Sequence, residues 1–348
     1  MRILQVNSSD AGGGAEGSAW SLFQAYLRKG HESWLAVGYK RGTDPNVLEL
    51  PRDRGRSRWA QLIYRLPRQM QTRRLRGRGR IRQVLMALAE PRRFLEKLRG
   101  HEDFCYPSTW DLLDLVPEHP DIVHLHNLHG GYFDLRALPW LSKQVPLILN
   151  MRDAWTLTGH CAYFLDCQRW RNGCGDCPYL DVYPALWRDG SAQNWRRKRD
   201  IYARSTLYIT APSRWLIEQA QQSMLEAVEY RVIPNGIDLD VFTPGNQSKA
   251  RTQLGLPTDS KIVLFAAHHA RRSPYKDFAT VERAMSLIGP NNQMHSILCL
   301  CLGSKGKEKQ LRNVVVRFVG FESDPKRVAQ YYRAADLFVH AAKAEAFG

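Results

Sequence analysis

Two runs of alternating strand-like and helix-like pattern, joined once by RVIPNGIDLDVFTP at Arg231–Pro244, restrict this chain to an α/β architecture in two parts. At the join, the β-branched pair Val232 and Ile233 meets Pro234 and then Asn235-Gly236. That order ends a strand and turns the chain without starting a helix. Before the join, strands are expected at residues 2–7, 33–37, 121–126, 145–150, 206–211 and 230–233; after it, at 261–267, 296–302, 314–319 and 336–340. The first helix is expected from about Ala15, with Trp20, Phe23 and Leu27 on one face, Arg28 and Lys29 in the last turn, and Gly30 as its stop. Other helices are expected to start at Pro212-Ser213 and to cover about 277–288 and 325–335.

Strands separated by crossover-length connections pair in parallel, so each part reads as a doubly wound sheet. The expected organisation is a first domain over 1–235, a linker over 236–250 and a second domain over 251–348, with a ligand site in the cleft between the two domains. Such a sheet ordinarily continues into another helix after a strand like 336–340. Here the sequence stops at Glu345-Ala346-Phe347-Gly348, so the second domain is expected to be incomplete.

At 348 residues and 44% hydrophobic content, the chain is long enough for two cores. Met1–Val6 runs directly into a polar loop and no apolar run approaches membrane-spanning length, which points to a soluble or peripheral protein, cytosolic by default. The formal charge of +16 is uneven: residues 52–99 hold sixteen Lys or Arg against Asp53, Glu90 and Glu96. Such a block attracts a polyanion, either an anionic bilayer or nucleic acid. Within it Trp59, Leu62, Ile63, Leu66 and Met70, and again Ile81, Val84, Leu85 and Leu88, recur at helical spacing between arginines, with Pro67 breaking or kinking the first helix. An Arg-faced amphipathic helix binds a membrane interface; the plainer reading is a solvated basic face packed by its apolar stripe on the domain.

Three local patterns carry chemistry. Gly12–Gly17 satisfies G-x-G-x-x-G before a helix, yet the glycines begin four residues beyond the strand and no acidic residue closes the second strand. Backbone N–H groups around Gly13 and Gly14 facing a phosphate or sugar fit that placement better than a nicotinamide site, with close packing as the alternative. In AHHARRSPYK, Arg271, Arg272 and Lys276 follow a buried strand and precede a helix, a position at the carboxyl end of the sheet that suits a diphosphate. Glu345, in a small-residue turn after a strand, would accept hydrogen bonds from a sugar hydroxyl. His124 and His126 alternate at the end of another strand, so one of them is expected to face the core or the opposite sheet surface.

Cys161, Cys167, Cys174 and Cys177 form C-x5-C-x6-C-x2-C in a loop spanning 160–178. Four thiolates at this spacing suit a closed structural zinc site; disulfide or redox chemistry and packing thiols are the other readings.

Together GGGAE with KGHE, DIVHLHNLHGGYF, APSRW, IPNGID with its following Phe and Pro, ARRSPYK and EAFG resemble, in order and spacing, the retaining, nucleotide-sugar-dependent glycosyltransferases of the GT-B fold in family 4. The stretch TGHCAYFLDCQRWRNGCGDCP resembles the branch that builds bacterial capsular or exopolysaccharide repeat units of the colanic-acid type. The resemblance implies that the second domain holds the nucleoside diphosphate sugar, with Lys276 and Arg271 or Arg272 on the diphosphate and Glu345 as the first acid of a paired-glutamate motif. It implies that His126 lies near the donor sugar and that Gly13 and Gly14 approach donor and acceptor. The second acid, expected eight residues after Glu345, lies beyond the end of this sequence, which implies weak donor binding or inactivity. Arg152-Asp153 stands where relatives often show His-Asp.

The function these features imply is sugar transfer to a lipid-linked saccharide at the cytoplasmic membrane face, with no metal required for transfer. A nucleic-acid-binding protein explains the charge but not two doubly wound halves, and residues 52–99 hold only Trp59, Tyr64 and Phe94 for base stacking. An NAD-dependent oxidoreductase rests on the glycine string alone.

Overall fold

The structure is a computed structural model and describes residues 1–51, 54–63, 78–267, 273, 275–288 and 296–347. It divides into two compact units, Met1–Asn235 with Ala346–Gly348, and Gly236–Glu345. The helical run read over Trp59–Met70 falls partly outside the described residues, as do Arg271 and Arg272.

The first unit is a seven-stranded parallel sheet of β1 (Arg2–Ser9), β2 (Glu32–Tyr39), β3 (Val47–Glu49), β4 (Ile122–Leu125), β5 (Leu147–Asn150), β6 (Leu207–Ala211) and β7 (Glu229–Val232). Their order is β3-β2-β1-β4-β5-β6-β7, so the winding reverses between β1 and β4. Period-two alternation gives each strand two faces. Leu4, Val6, Val123, Leu125, Leu147, Leu149, Leu207 and Ile209 join the main core, while Leu35, Val37 and Val47 pack with Phe23 of the helix Gly14–Arg28 in a smaller cluster. Ser213 caps the helix Arg214–Gln221 by accepting from Leu216 N, and Gly30 adopts φ +77 just beyond the first helix.

Between β3 and β4, helices at 58–63, Arg78–Ala89 and Pro91–Leu98 build the basic insertion. It is not simply a solvated cationic face. Arg56 and Arg93 both pair with Glu90, and Arg93 also pairs with Asp103, all four side chains being largely withdrawn from solvent. Outward, Trp59, Leu62, Val84, Leu88 and Leu95 are each more than half exposed.

Just past the insertion, Gly100 lies tightly against residues 188–190, beyond the cysteine loop. Gly100 adopts φ +81, and a Cβ there would stand 2.0 Å from Arg188 O, while a Cβ on Gly190 would stand 2.4 Å from Gly100 O. Glycine is required on both sides of that backbone contact. Beneath it, Lys198, fully buried on the helix Ser191–Tyr202, pairs with Glu102 at 2.8 Å. Its ammonium also donates to Trp155 O and Thr158 O and lies 3.7 Å from the Trp155 ring centroid.

The second unit is a five-stranded sheet of β8 (Lys261–Ala266), β9 (Ile297–Leu302), β10 (Lys309–Leu311), β11 (Val314–Val319) and β12 (Leu337–Phe338), ordered β10-β11-β9-β8-β12. All neighbours are parallel except β10 with β11, and the winding reverses between β8 and β12. The continuous apolar run ILCLCL of β9 is buried on both faces, as a central parallel strand should be. Asn246 caps a helix over Gln247–Leu254 that buries Ala250 and Arg251. The end of the stretch 236–250, expected as linker, is therefore helix packed into this unit.

Candidate functional site

In a doubly wound sheet, the crevice outside the carboxyl ends of the strands at the reversal point is the ligand-binding position. Each unit has one; Lys276 and Glu345 lie on loops at that of the second unit, and Gly13 and Gly14 on a loop at that of the first.

In the second unit, the loops after β8 and β12 flank the reversal. They bring together two residues sixty-nine positions apart: Lys276 Nζ donates to Glu345 Oε1, with both side chains partly accessible. His340, which the sequence reading did not single out, places Nε2 3.7 Å from the same oxygen. Its signal was its place just past the last strand. Asp277, in the left-handed region at φ +43, caps the helix Phe278–Leu287 and lies 3.4 Å from Lys343 Nζ. Beside this group opens a cavity of about 740 Å³ whose lining includes Asp277, Glu282, Lys307, Lys309 and Lys343. Paired but solvent-reachable cations of this kind can exchange a carboxylate partner for a phosphate oxygen.

In the first unit, the reversal lies between the glycine loop after β1 and the loop after β4. Gly13 N donates to Glu16 Oε2 at 3.0 Å, and Ser8 donates to Glu16 Oε1 at 2.9 Å, so Glu16 ties the end of β1 to the start of the helix. Close packing does not explain Gly14, since a Cβ there meets nothing within 4 Å.

His126 is not at the accessible edge. Residues i and i+2 share a face of a strand, and both His124 and His126 point the same way, their rings 4.3 Å apart and buried. Of the two expected alternatives, the core or the opposite sheet surface, the first holds, and for both rings; the expectation that the pair is divided between two faces is corrected. His126 Nε2 lies 2.8 Å from Gln5 Oε1. Burial pushes His124 down to about 3, and burial with the neighbouring His124 and Arg152 holds His126 well below its ordinary value. Both rings are neutral at physiological pH. Arg152 turns toward the join and donates to Asn235 Oδ1, which Ser18 also reaches, and burial lowers its pKa to about 10.

The third histidine of this edge, His129, was also missed by the sequence reading and is itself largely buried. Its Nε2 is 2.7 Å from Asp153 Oδ2, and Tyr183 hydroxyl stands 3.3 Å from Nδ1. Only folding joins these three loops; the DIVHLHNLHGG string held three histidines and gave no reason to prefer the last.

The four cysteines lie together in the long connection between β5 and β6. Among the described residues, no three His, Cys, Asp or Glu side chains converge to hold one metal ion. The sulfurs have protein partners instead: Gly159 N donates to Cys174 Sγ at 3.3 Å, and His160 Nε2 stands 3.3 Å from Cys177 Sγ. Burial pushes the Cys161 thiol up to about 12 and the Cys174 thiol up to about 11.

With this geometry established, likeness to known proteins becomes informative. The Glycosyltransferase Family 4 profile matches residues 12–241. A protein of Escherichia coli (strain K12) named for colanic acid biosynthesis, the glycosyl transferase WcaC, is 26% identical over 99% of this chain and 78% of its own length. Among solved structures, WaaG, a glycosyltransferase involved in lipopolysaccharide biosynthesis, superimposes with a TM-score of 0.54 at 13% identity, covering 99% of this chain and 76% of that one. The catalytic domain of starch synthase IV from Arabidopsis thaliana, solved with ADP and acarbose, gives a TM-score of 0.51 at 14% identity, covering 100% and 79%. At such identities the structural likeness speaks for the fold, two Rossmann-like α/β domains of the GT-B type. Profile, order of motifs and fold agree: the chain belongs to Glycosyltransferase Family 4 and is a glycosyltransferase.

Proposed function

We propose that this chain transfers a sugar from a nucleoside diphosphate sugar to a lipid-linked saccharide, with retention at the anomeric carbon, in the assembly of a bacterial surface polysaccharide. The observation that carries the reading is the meeting of Lys276 and Glu345 at the reversal point of the second sheet, with His340 near the same carboxylate oxygen. Lys276 would take the diphosphate and stabilise the charge that builds as it departs, with Arg271 or Arg272 assisting; Glu345, released from the lysine, would accept from a sugar hydroxyl. The lysine-lined cavity beside them would hold the rest of the donor. Gly13 and Gly14 would let donor phosphate and acceptor approach the first unit closely, and transfer would use no metal.

The name of the Escherichia coli relative supports an exopolysaccharide product of the colanic-acid kind. No helix among the described residues is long and apolar enough to cross a membrane. Exposed Trp59, Leu62, Val84, Leu88 and Leu95 beside the arginines of residues 52–99 support a peripheral seat on an anionic bilayer, at the inner face of the cell membrane, over nucleic acid.

The test is thermal unfolding with UDP, GDP and NAD, with Lys276→Ala as control. Stabilisation by one nucleoside diphosphate that vanishes in the variant is expected and identifies the donor base; stabilisation by NAD alone would refute the reading.

A further inference from the structure

We propose that Cys161, Cys167, Cys174 and Cys177 take up one Zn²⁺ as a closed tetrathiolate that fixes the segment between Thr158 and Gly190, a structural site that does not depend on the donor reading above. Along this segment the 3₁₀ turn Arg169–Arg171 is the one regular element among the described residues. All four thiols are free of disulfides. An irregular stretch of about thirty residues inside a domain is uncommon, and small units that lack a ladder or a large core are often closed by a metal.

The backbone gathers the thiols. Gly173, Cys174, Gly175 and Asp176 adopt φ +133, +55, +100 and +47 in succession. Two of these carry side chains, and residues with side chains persist in the left-handed region only where the surroundings hold them there. The turn is pinned by Gly175 N, which donates to Ser191 Oγ at 3.0 Å, and by Cys177 N, which donates to Asp189 Oδ2 at 2.8 Å. It brings both sulfurs of the C-x-x-C pair onto the chain just ahead of Cys161, where Gly159 N donates to Cys174 Sγ and His160 Nε2 faces Cys177 Sγ, each at 3.3 Å. His160 is in turn anchored through Nδ1 to Pro184 O at 2.8 Å. Leu165, at φ +50, turns the chain between Cys161 and Cys167, and Cys167 N donates to Phe164 O at 2.8 Å. A backbone N–H aimed at sulfur, as from Gly159, is a partner that a metal-bound thiolate keeps. As they stand, no three of the side chains close on one point. Closing them takes rotation about χ1 at the partly buried Cys167 and Cys177, a change between staggered rotamers. Four S–Zn bonds then replace four S–H bonds and four protons leave to solvent, with no change of oxidation state. Donors that are all sulfur select Zn²⁺ over hard cations, and four protein ligands leave no position open for water, so the ion takes no part in transfer.

The experiment purifies the full chain without chelator and reads metal per chain by inductively coupled plasma mass spectrometry. About one zinc per chain is expected in wild type and in Cys105→Ser, whose thiol lies outside the segment, and a substoichiometric remnant in Cys167→Ser and Cys174→Ser. The zinc-free, reduced wild type is then titrated with Co²⁺, and the visible absorption of a tetrahedral cobalt tetrathiolate should saturate at about one equivalent. If the serine variants do not fold, wild type alone decides: iodoacetamide labelling mapped by peptide mass should show Cys167, Cys174 and Cys177 protected by added Zn²⁺ and Cys105 labelled alike with and without it. A reduced wild type that holds no zinc and gives no cobalt–thiolate absorption would overturn the proposal. So would zinc retained in both serine variants, labelling at the three thiols unchanged by Zn²⁺, or a purified chain that carries iron and sulfide, or disulfides between these cysteines, in place of zinc.

Discussion

Each unit contains a lysine paired with a glutamate, and the two pairs differ in everything but chemistry. Lys198 and Glu102 in the first unit are 0% and 8% exposed, and the ammonium is closed in by two carbonyls and the Trp155 ring. Lys276 and Glu345 in the second are 27% and 21% exposed, sit on loops beyond the strand ends, and have His340 as a further neighbour of the carboxylate. Burial pulls the pKa of Lys198 down, and Glu102 opposes that pull. A charge pair without access to solvent cannot change partners without leaving an ion stranded; a half-open pair can. Burial separates a pair that holds a fold from a pair that is poised for a ligand, and the residue types alone do not.

The largest effect that would sharpen this contrast is on Lys198. Lys198→Ala strands Glu102 in the interior and is expected to cost about 3–5 kcal/mol. All ten tryptophans lie in the first unit, so urea unfolding followed by tryptophan fluorescence isolates this loss; a midpoint close to wild type would break the comparison.

Next comes Lys276→Ala. The unliganded variant is expected to lose at most about 1 kcal/mol, as for other solvent-reachable pairs. It should also forfeit the roughly 2.7 kcal/mol that nucleoside diphosphate at a hundredfold over its dissociation constant adds to the wild type. A large loss without ligand would place Lys276 with Lys198 as a fold-holding residue.

Acid should separate the units more gently. His124 is neutral when folded, with a pKa of about 3, so the unfolded chain takes up its proton first. Its contribution is whole above about pH 6.5 and drains away as pH falls from there toward the folded value. In the second unit, burial works against the Asp336 carboxylate, but the Ile262 N–H and the Arg251 guanidinium hold it below its usual value. That contribution persists until the pH drops below about 4. Tryptophan fluorescence should therefore report loosening at milder acidity than the part of the far-ultraviolet signal belonging to the second unit. A single transition at one pH would contradict this.

The smallest stability effect is expected at Gly14. With open space at its Cβ, Gly14→Ala should raise stability by about 0.4–1 kcal/mol through the unfolded chain. Transfer activity should nonetheless fall if ligand passes the loop, and full activity would show that it does not.

The sequence made the architecture legible because strand periodicity is local. Of the twelve strands among the described residues, ten lie where the apolar runs predicted them; β3 and β10, three residues each, are too short to show a pattern. The helices Leu138–Gln144 and Ser191–Tyr202 were also missed, the second because its exposed face carries Arg196, Arg199 and Asp200 and the stripe is thin. Lys276 and Glu345 could be chosen from strand-end positions, and the fold brings them together. His129 with Asp153, His340 with Glu345 and Lys198 with Glu102 could not, since each partnership is made by loops or helices meeting in space. The cysteine spacing suggested a zinc site, and spacing does not report which way four sulfurs point.

The backbone contact between Gly100 and Gly190 bears on how this chain can change over generations. Neither glycine can acquire a side chain while the other backbone lies against it, and neither surface is complete without its opposite. The chain just past the arginine-rich insertion and the chain just before the helix Ser191–Tyr202, ninety residues apart, thus restrict each other's sequence at these two positions.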